Sequence, residues 1–434
     1  QPNSVFGRFQ HYFGLVRMAW IDGDNLASGN SLSPYDLLSN GQKVATLELD
    51  EVYFYWNLPK INLPDNYENG QKGAIIEMFG WPYDQIEKEC EFVGKAGYLG
   101  VKVFPPQEAI LSYTTVENGE LNPWYFIYQP VSYKLTSRHG TRKQFKSMID
   151  TCRSHNVRVY ADAVVNHMTG NGNDMNPDHR NGSGGACIHW GPKNGSAGSP
   201  WYTHGYQFEK NPFSKQKPGL EFPSVPYDET HFHCERVLNS WTDPFILNYG
   251  WLVGLTDLNT ENEYVRQRIA DYVSDLVSIG VSGIRMDAAK HISPNNLSHI
   301  LKKVKDNLNG FNEDFIAYLE VIIGGEKDLL VCNDGEYNFA QSFEKTMLGV
   351  GLSQDDVDKI KIWSSDYPKE FPICGYWPIK SERYAIGLDC HDDQFPGSSS
   401  RDMGDAGSVL VKEKNVDKHR GKTVKLKIFT LFLG

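Results

Sequence analysis

Three acidic residues each stand at the end of a short apolar run: Asp287 ends GIRMD, Glu320 ends IAYLE, and Asp392 closes AIGLDCHD. If these carboxylates lie close together they repel, so at least one keeps its proton near neutral pH. One protonated and one ionised carboxyl are what cleavage of a glycosidic bond requires, to protonate the leaving oxygen and to attack the anomeric carbon. Taken singly, each acid has an ordinary alternative as a helix cap or loop carboxylate.

Other side chains near these acids suit the same chemistry. Arg285 lies two residues before Asp287, on the same face of a strand, where it would keep Asp287 ionised and oriented. The run PWYFIYQP at 123–130 supplies aromatic rings on which the C–H faces of sugars can stack. A buried aromatic cluster is the alternative interpretation of that run.

A scaffold is needed that brings these strand ends together. From about residue 73, β-rich runs alternate with helical patterns, which predicts a parallel α/β sheet. The predicted strands lie at 73–79, 101–104, 157–165, 283–287, 315–321, 337–340 and 384–389. The predicted helices lie at 83–96, 141–155, 260–279 and 293–308, and the run from Thr423 is also helix-like. Seven strands are one short of a (β/α)₈ barrel.

Two stretches do not follow the alternation. Residues 166–248 are rich in Gly, Asn, Pro and His without clear periodicity, and so long a structureless loop is improbable in a compact domain. We therefore expect an inserted small domain there. The first 68 residues also lack the pattern, although Val44 to Tyr55 predicts one or two strands.

Composition excludes several classes of partner. The chain has 43 Lys and Arg against 54 Asp and Glu, a formal net charge of -11, which argues against nucleic acid or an anionic membrane surface as main partner. No run of about 18 uncharged apolar residues predicts a transmembrane span. Gln1 is not followed by a basic and then apolar leader, so we expect that a signal peptide was removed or never existed.

The 7 cysteines are scattered and form no C-x-x-C pair, which argues against a zinc or redox motif. Free buried thiols in a reducing compartment are one interpretation. The glycosylation sequons at Asn181, Asn194 and Asn296 favour secretion instead.

Four segments together resemble the signature segments of the α-amylase family of glycoside hydrolases, in the family's order. They are DAVVNH (162–167), GIRMDAAKH (283–291), YLEVI (318–322) and DCHD (389–392). The chain is most similar to animal-type members through SYKL (132–135), EFPSVPY (221–227), GLTDL (254–258) and GGE (324–326). The resemblance covers about residues 69–434 and implies a (β/α)₈ TIM barrel with a domain inserted after the third strand.

The resemblance also implies a role for each matched residue. Asp287 is expected to be the nucleophile of a retaining double displacement, Glu320 the general acid and then base, and Asp392 the carboxylate that binds sugar hydroxyls. The expected substrate-binding residues are Trp124, Tyr125, Tyr128, Gln129, His167, Arg285, Lys290 and His391. The expected substrate is an α-1,4-glucan such as starch or glycogen, cleaved internally.

Family members hold a structural Ca²⁺ between the barrel and the inserted domain. Asn166 and Asp257 match its side-chain ligands, and Asn248 and His291 match residues that give backbone carbonyls. The activating chloride of animal-type members is in doubt, because Cys390 stands at the position of an Asn ligand.

Cysteine positions add to the resemblance. Cys90 and Cys152 match a pair that forms a disulfide in animal-type members, which favours an oxidising, secretory location. The pairing of the other five cysteines stays open.

The resemblance divides the chain into four parts. We expect an N-terminal extension at 1–68 of unknown role and β-rich, a first barrel part at 69–165, the inserted domain with its calcium edge at 166–250, and a second barrel part at 251–434. That second part stops after the seventh helix, so the eighth strand and the C-terminal β-sandwich of the family are expected to be missing. A longer chain, or another polypeptide that completes the barrel, is the expected explanation.

Two other functions stay open at this point. An α-glucosidase or transglycosylase of the same family differs mainly in the loops around the cleft. A catalytically inactive, amylase-like structural or glycan-binding component of a larger assembly is the second alternative, against which the three carboxylates argue.

Overall fold

The computed structural model describes residues 35–39, 42–47, 73–109, 123–169, 222, 225–234, 236–323, 325–364, 374–376, 378–387, 391 and 431–433. The chain divides into two compact units, Gln1–Pro59 and Lys60–Gly434. In the first unit, β1 (Tyr35–Ser39) pairs antiparallel with β2 (Gln42–Leu47). Part of the strand predicted from Val44 is thus present as β2, and its remainder lies outside the described residues.

The second unit is built on one sheet of eight strands. Seven of them run parallel, and their order across the sheet follows their order in the chain, as in a (β/α)₈ barrel. These strands are β3 (Ile75–Met78), β4 (Gly100–Val103), β5 (Arg158–Val164), β8 (Gly283–Asp287), β9 (Ile316–Glu320), β10 (Ile360–Ser364) and β11 (Tyr384–Gly387). Every residue of β5, β8 and β9 is buried, because parallel strands of this class are covered on both faces.

Helices connect the strands and pack outside them. The longer ones are α1 (Tyr83–Lys95), α2 (Arg142–Ser154), α4 (Glu263–Ser278) and α5 (Pro294–Asn307). The shorter ones are α3 (Pro244–Tyr249), α6 (Lys327–Leu330), α7 (Gln341–Gly349) and α8 (Gln354–Asp358). The predicted helices at 83–96, 141–155, 260–279 and 293–308 are confirmed within a few residues at each end. No helix among the described residues is long and apolar enough to cross a membrane.

The predicted sixth strand at 337–340 is wrong. Those residues form turns before α7, where the Tyr337 hydroxyl donates to the carbonyl of Lys290 at 2.5 Å. The sixth parallel strand of the sheet is β10, whose sequence IKIWS carries a lysine at its second position. Lys361 is buried because its ammonium donates to the carbonyls of Asp358 and Glu382, at 2.6 and 2.5 Å.

The eighth strand of the sheet is β12 (Leu431–Leu433), which pairs antiparallel with β11. The helix predicted from Thr423 is therefore wrong for these three residues. The eighth strand of a (β/α)₈ barrel, which we expected to be missing, would run parallel to the others, whereas β12 runs antiparallel to β11. A short apolar run such as LFL has no periodicity that separates strand from helix. The run is a strand here because its backbone pairs with the edge of β11.

Two short strands extend beyond the sheet after β5. β6 (His167–Met168) pairs antiparallel with β7 (Thr256–Asp257), so residues from the start and the end of the long irregular stretch lie side by side. The segment between them includes the described residues 225–234, which approach β7 through the bond from the His233 N–H to the Asp257 carbonyl, at 3.0 Å.

Asn296 lies in the first turn of α5 and is 1 % exposed. Its amide nitrogen donates to the Thr260 hydroxyl at 2.9 Å and to the Glu261 carboxylate at 2.8 Å. Arg266 in turn donates to the oxygen of the same amide at 2.6 Å. The side chain thus fastens α5 to the start of α4.

Disulfide bonds join elements that are distant in sequence. The predicted pair Cys90–Cys152 is confirmed, and it links α1 to α2 with a Cα–Cα distance of 4.7 Å. A second bridge, Cys332–Cys374, joins the segment after α6 to the segment after β10. Its pairing had been left open by the sequence.

Replacing Cys90 and Cys152 together by alanine is expected to lower the free energy of unfolding by about 2–4 kcal/mol, because the bridge restricts a long loop in the unfolded chain. Chemical denaturation monitored by circular dichroism measures this. Wild type and variant denatured in reductant are the control, since reduction breaks Cys332–Cys374 in both and should bring their midpoints together. Equal midpoints for variant and oxidised wild type would contradict the expectation.

Candidate active site

The centre of the candidate site is the guanidinium of Arg285, which is 2 % exposed on β8. Its Nη1 donates to both oxygens of Asp162 on β5, at 2.7 and 2.9 Å, and to Asp287 Oδ1 at 2.8 Å. Its Nη2 donates to Glu320 Oε1 on β9. Three neighbouring strands thus deliver three carboxylates to one cation, as the barrel topology predicts for the carboxyl ends of its strands.

Glu320 is fixed from its other side by the backbone. The N–H of Ala288 donates to Glu320 Oε2 at 2.7 Å. Ala288 has φ 49°, in the left-handed region that residues with a side chain seldom adopt. The turn that ends β8 therefore holds a strained conformation that points its N–H at this carboxylate.

The protonation state of Asp287 differs from the one we expected. Burial raises the pKa of Asp287 to about 8, helped by the charge of Glu320, although Arg285 acts in the opposite direction. We expected Arg285 to keep Asp287 ionised; because that guanidinium is shared among three carboxylates, its effect on Asp287 is too small. Burial also opposes ionisation of Asp162, but Arg285 and Lys102 outweigh it and lower the pKa of Asp162. The expected proton near neutrality thus resides on Asp287 in this arrangement.

His391 lies beside this centre, on the side of β3. Its Nδ1 is 2.9 Å from Glu77 Oε1, and its ring stacks on Phe79 and Tyr128 at centroid distances of 4.8 and 5.3 Å. The predicted third carboxylate, Asp392, lies outside the described residues, as does Cys390 at the doubtful chloride position.

The predicted aromatic wall is a single 3₁₀ turn, Trp124–Tyr128. Tyr125 is 40 % exposed, and the rings of Trp124 and Tyr128 lie edge to face at 6.1 Å. The Tyr128 hydroxyl donates to Asp162 at 2.8 Å, which connects the wall to the carboxylates. Gln129 accepts a hydrogen bond from Thr169 at 3.0 Å.

His167 belongs to the same wall. Its Nε2 is 3.0 Å from the carbonyl of Tyr128, and burial lowers its pKa to about 4. A neutral ring follows at physiological pH, so this histidine can exchange hydrogen bonds with a sugar without adding charge.

Lys290 lies beyond Glu320 along the cleft. Its ammonium donates to Glu326 at 2.5 Å and to the carbonyl of Ile322 at 3.1 Å, and it lies 4.9 Å from the ring centre of Trp241. Trp241, which was not predicted as a site residue, is 48 % exposed. It therefore presents an apolar ring next to a fixed cation.

The four predicted calcium ligands lie where the inserted segment meets the barrel. The Asn166 amide nitrogen is 3.4 Å from Asp257 Oδ1, and both residues are buried. Asn248 uses its side chain to accept from the Ser293 N–H at 2.8 Å, and His291 Nδ1 lies 3.1 Å from the Leu247 carbonyl. The side chains of the last two are engaged, which leaves their backbone carbonyls as the oxygens available to a cation.

A buried histidine that sequence reasoning missed completes this region. His233 Nδ1 is 2.6 Å from Asp257 Oδ2, and His233 Nε2 is 2.8 Å from Glu261. Burial alone would lower its pKa, but the two carboxylates raise it to about 9. Among the described residues no group of three or more His, Cys, Asp or Glu side chains has the arrangement of a metal site.

Sequence reasoning also missed charged residues inside the strands. Asp162 heads the DAVVNH segment and was noted only as a strand-end acid, while Glu77 and Lys102 lie within predicted strands. These residues could have been found from the sequence by looking for charges at positions that face the barrel interior. A buried charge there destabilises the fold unless it is paired, so each one indicates a partner.

Replacing Glu320 by Gln is expected to lower the pKa of Asp287 from about 8 toward its usual value of 3.8, because the negative charge beside it is removed. Titration of ¹³C-carboxyl aspartate signals by NMR measures this, with the signal assigned by its loss in Asp287→Asn. Glu326→Gln is the matched control, since Glu326 pairs with Lys290. An Asp287 pKa that stays high in Glu320→Gln would show that Glu320 does not contribute.

Comparison with known proteins finds similar chains over most of the length of this one. The α-amylase catalytic-domain profile matches residues 128–327. The chain is 34 % identical over 332 residues to a pancreatic α-amylase of Rattus norvegicus, covering 74 % of this chain and 57 % of that protein. It is 30 % identical over 358 residues to pancreatic α-amylase 2a5 of Mus musculus, covering 80 % and 61 %.

A further relative carries a different name. The chain is 31 % identical over 348 residues to an α-amylase-related protein of Drosophila willistoni, covering 77 % of this chain and 59 % of that protein. The chain thus spans about three fifths of the length of these curated relatives. Residues 128–327 thus match the α-amylase catalytic domain, and the chain is similar to these α-amylases and their related protein over about three quarters of its own length.

Proposed function

We propose that this protein is an endo-acting α-1,4-glucan hydrolase that cleaves starch or glycogen by a retaining double displacement. The observation that carries the proposal is the joint binding of Asp287 and Glu320 by Arg285, two carboxyl groups on adjacent strands, where burial and the charge of Glu320 raise the pKa of Asp287 to about 8. This reaction requires at least a proton donor and a carboxylate nucleophile that lie close together.

In the first step, Glu320 donates its proton to the glycosidic oxygen while Asp287 attacks the anomeric carbon, so that the bond to the leaving sugar breaks and a covalent glycosyl-enzyme forms. In the second step, Glu320 removes a proton from water, whose oxygen attacks the same carbon and releases Asp287. The proton on Asp287 must therefore move to Glu320 when substrate binds. Asp392 is proposed to hold sugar hydroxyls.

The surrounding residues position the glucan. Trp124, Tyr125, Tyr128 and Gln129 form an apolar wall with polar tips on one side, joined by His167 and His391. Lys290 is proposed to contact the leaving sugar, and the exposed ring of Trp241 beside it extends that surface.

Ca²⁺ is proposed as the structural cation of the inserted segment. The donor set fits it, because Asn166, Asp257 and the backbone carbonyls of Asn248 and His291 are all oxygen ligands, which a hard cation prefers. Asp257 and Asn166 are already in contact, so their two side chains would hold the cation together. The cation would neutralise charge and hold the inserted segment. We propose no chloride.

The remaining features of the molecule fit this function. We propose the boundaries 1–68, 69–165, 166–250 and 251–434 for the extension, the first barrel part, the inserted domain and the second barrel part. Disulfide bonds are typical of proteins outside the cytosol, so secretion is proposed.

The proposal is tested by assaying soluble starch and a maltooligosaccharide blocked at its non-reducing end. Wild-type protein should cleave both, and Glu320→Gln and Asp287→Asn should each lose about 10²–10⁴-fold in kcat, the usual worth of such groups. Glu263→Gln, a change on the exposed start of α4, is the control that should keep full activity.

Each other function gives a different pattern. Wild type that fails to cleave either substrate would favour an inactive, glycan-binding component. Cleavage of short unblocked maltosides alone would favour an α-glucosidase, and longer products than substrates would favour a transglycosylase.

Removing Ca²⁺ with a chelator is expected to lower the melting temperature, because Asn166 and Asp257 lose their shared cation. Scanning calorimetry with and without added Ca²⁺ measures this, and Asp257→Asn should reduce the difference. An unchanged melting temperature in chelator, at concentrations that strip a known calcium protein, would contradict the assignment.

A further inference from the structure

Charged side chains of alternating sign cross five neighbouring strands of the barrel. In sheet order they are Glu77 on β3, Lys102 on β4, Asp162 on β5, Arg285 on β8 and Glu320 on β9. Each member contacts the next: Glu77 pairs with Lys102, Lys102 with Asp162, Asp162 with Arg285, and Arg285 with Glu320. The proposed reaction uses one end of this row and leaves Lys102 without a role.

The strand register explains why Lys102 reaches both of its partners. Lys102 stands opposite Glu77 on one neighbouring strand and opposite Tyr160 on the other, so Asp162 lies two residues further along on the same face. Its ammonium is 3.2 Å from Asp162 Oδ2, and the residue is 5 % exposed. Lysine is seldom buried to this degree unless it is paired.

The charges around Asp162 show what this lysine does. Arg285 contacts Asp162, Asp287 and Glu320 together, and one guanidinium cannot neutralise three carboxylates. Lys102 supplies a second positive charge to Asp162, and the Tyr128 hydroxyl supplies a further hydrogen bond. Burial alone would lower the pKa of Lys102, but Glu77 and Asp162 outweigh it and raise the pKa, so the ammonium stays charged.

We propose that Lys102 is a positioning residue for glycosidic-bond cleavage: it neutralises Asp162, and Arg285 is thereby left to orient Asp287 and Glu320. The inference rests on the proposed function. Lys102 touches neither Asp287 nor Glu320 among the contacts of the described residues, so it acts through Asp162 and Arg285.

The charged groups near Asp287 determine the sign of the expected pH effect. Asp287 is surrounded by Arg285 on its own strand, Glu320 on β9, Asp162 on β5 and the Tyr128 hydroxyl. Lys102 is surrounded by Glu77, Asp162 and Arg285, and His391 faces Glu77 and Asp162. Without Lys102, the uncompensated charge of Asp162 makes ionisation of Asp287 harder.

Lys102→Met is the central variant, because methionine keeps the length and the apolar stem of lysine. We expect kcat on soluble starch to fall about 10- to 100-fold, with KM changed less than about twofold, since the lysine acts on the reacting carboxyls rather than on sugar binding. The acid limb of the kcat/KM profile should move about one pH unit upward, because the uncompensated charge of Asp162 favours the form in which Asp287 and Glu320 are both protonated, and that form has no nucleophile.

Two further variants test the route through Asp162. Lys102→Arg keeps the positive charge and should restore most of kcat and the wild-type acid limb. Adding Asp162→Asn to Lys102→Met removes the charge that the lysine neutralises, so the acid limb should return to the wild-type position or below it. Thermal unfolding of each variant establishes that it is folded.

In Lys102→Met, the buried carboxylate of Glu77 loses its lysine and keeps His391 as a partner, which costs folding stability. Glu77→Gln with Lys102→Met removes that second charge and still leaves Asp162 without its lysine, so the same upward movement of the acid limb is expected. A folded variant of either kind with the wild-type acid limb, or a loss of kcat that Lys102→Arg does not restore, overturns the inference. Wild-type protein inactive on starch would instead overturn the proposed function, so the two failures are distinguishable.

Discussion

The guanidinium of Arg285 is the interaction on which the candidate site depends. It is planar and always charged, and its two terminal nitrogens point to different strands, so one side chain binds Asp162, Asp287 and Glu320 at once. A lysine at this position would offer a single point charge and could not fix the directions of three carboxylates. The guanidinium also lies 5.4 Å from the ring centre of Trp363 in the barrel interior, which supports it from below.

This arrangement connects the reacting carboxylates to the inserted segment. The Tyr128 hydroxyl binds Asp162, its carbonyl meets His167, and His167 is followed along β6 by the pair with β7, which holds Asp257. Asp257 is in turn bound to His233, and His233 to Glu261. A series of hydrogen bonds thus runs from Arg285 to Asp257, the residue proposed to bind the cation.

Much of the fold could be predicted from the sequence because short β-rich runs alternate with helical patterns along most of the second unit. β10 was missed because Lys361 interrupts its pattern, and its burial depends on carbonyls that are distant in sequence. The direction of β12 depends on an available sheet edge, which no local pattern reveals.

The candidate site was predicted in part. The structure brings Asp287 and Glu320 together on Arg285, with His391 nearby, while their roles stay predictions. Glu77 and Lys102 were taken as ordinary strand residues, because their partners lie on strands distant in sequence. The proton on Asp287 could not be predicted either, since it depends on how one guanidinium is divided among three acids.

The burial of Asn296 changes how its glycosylation sequon is interpreted. Its amide lies between α4 and α5 and donates hydrogen bonds to Thr260 and Glu261. An oligosaccharyltransferase could therefore reach it only while the chain is still unfolded. A sugar attached at that moment would have no room between the helices and would keep them from packing. At this asparagine, a glycan would therefore mark molecules that had failed to fold, whereas an unmodified side chain is part of the finished barrel.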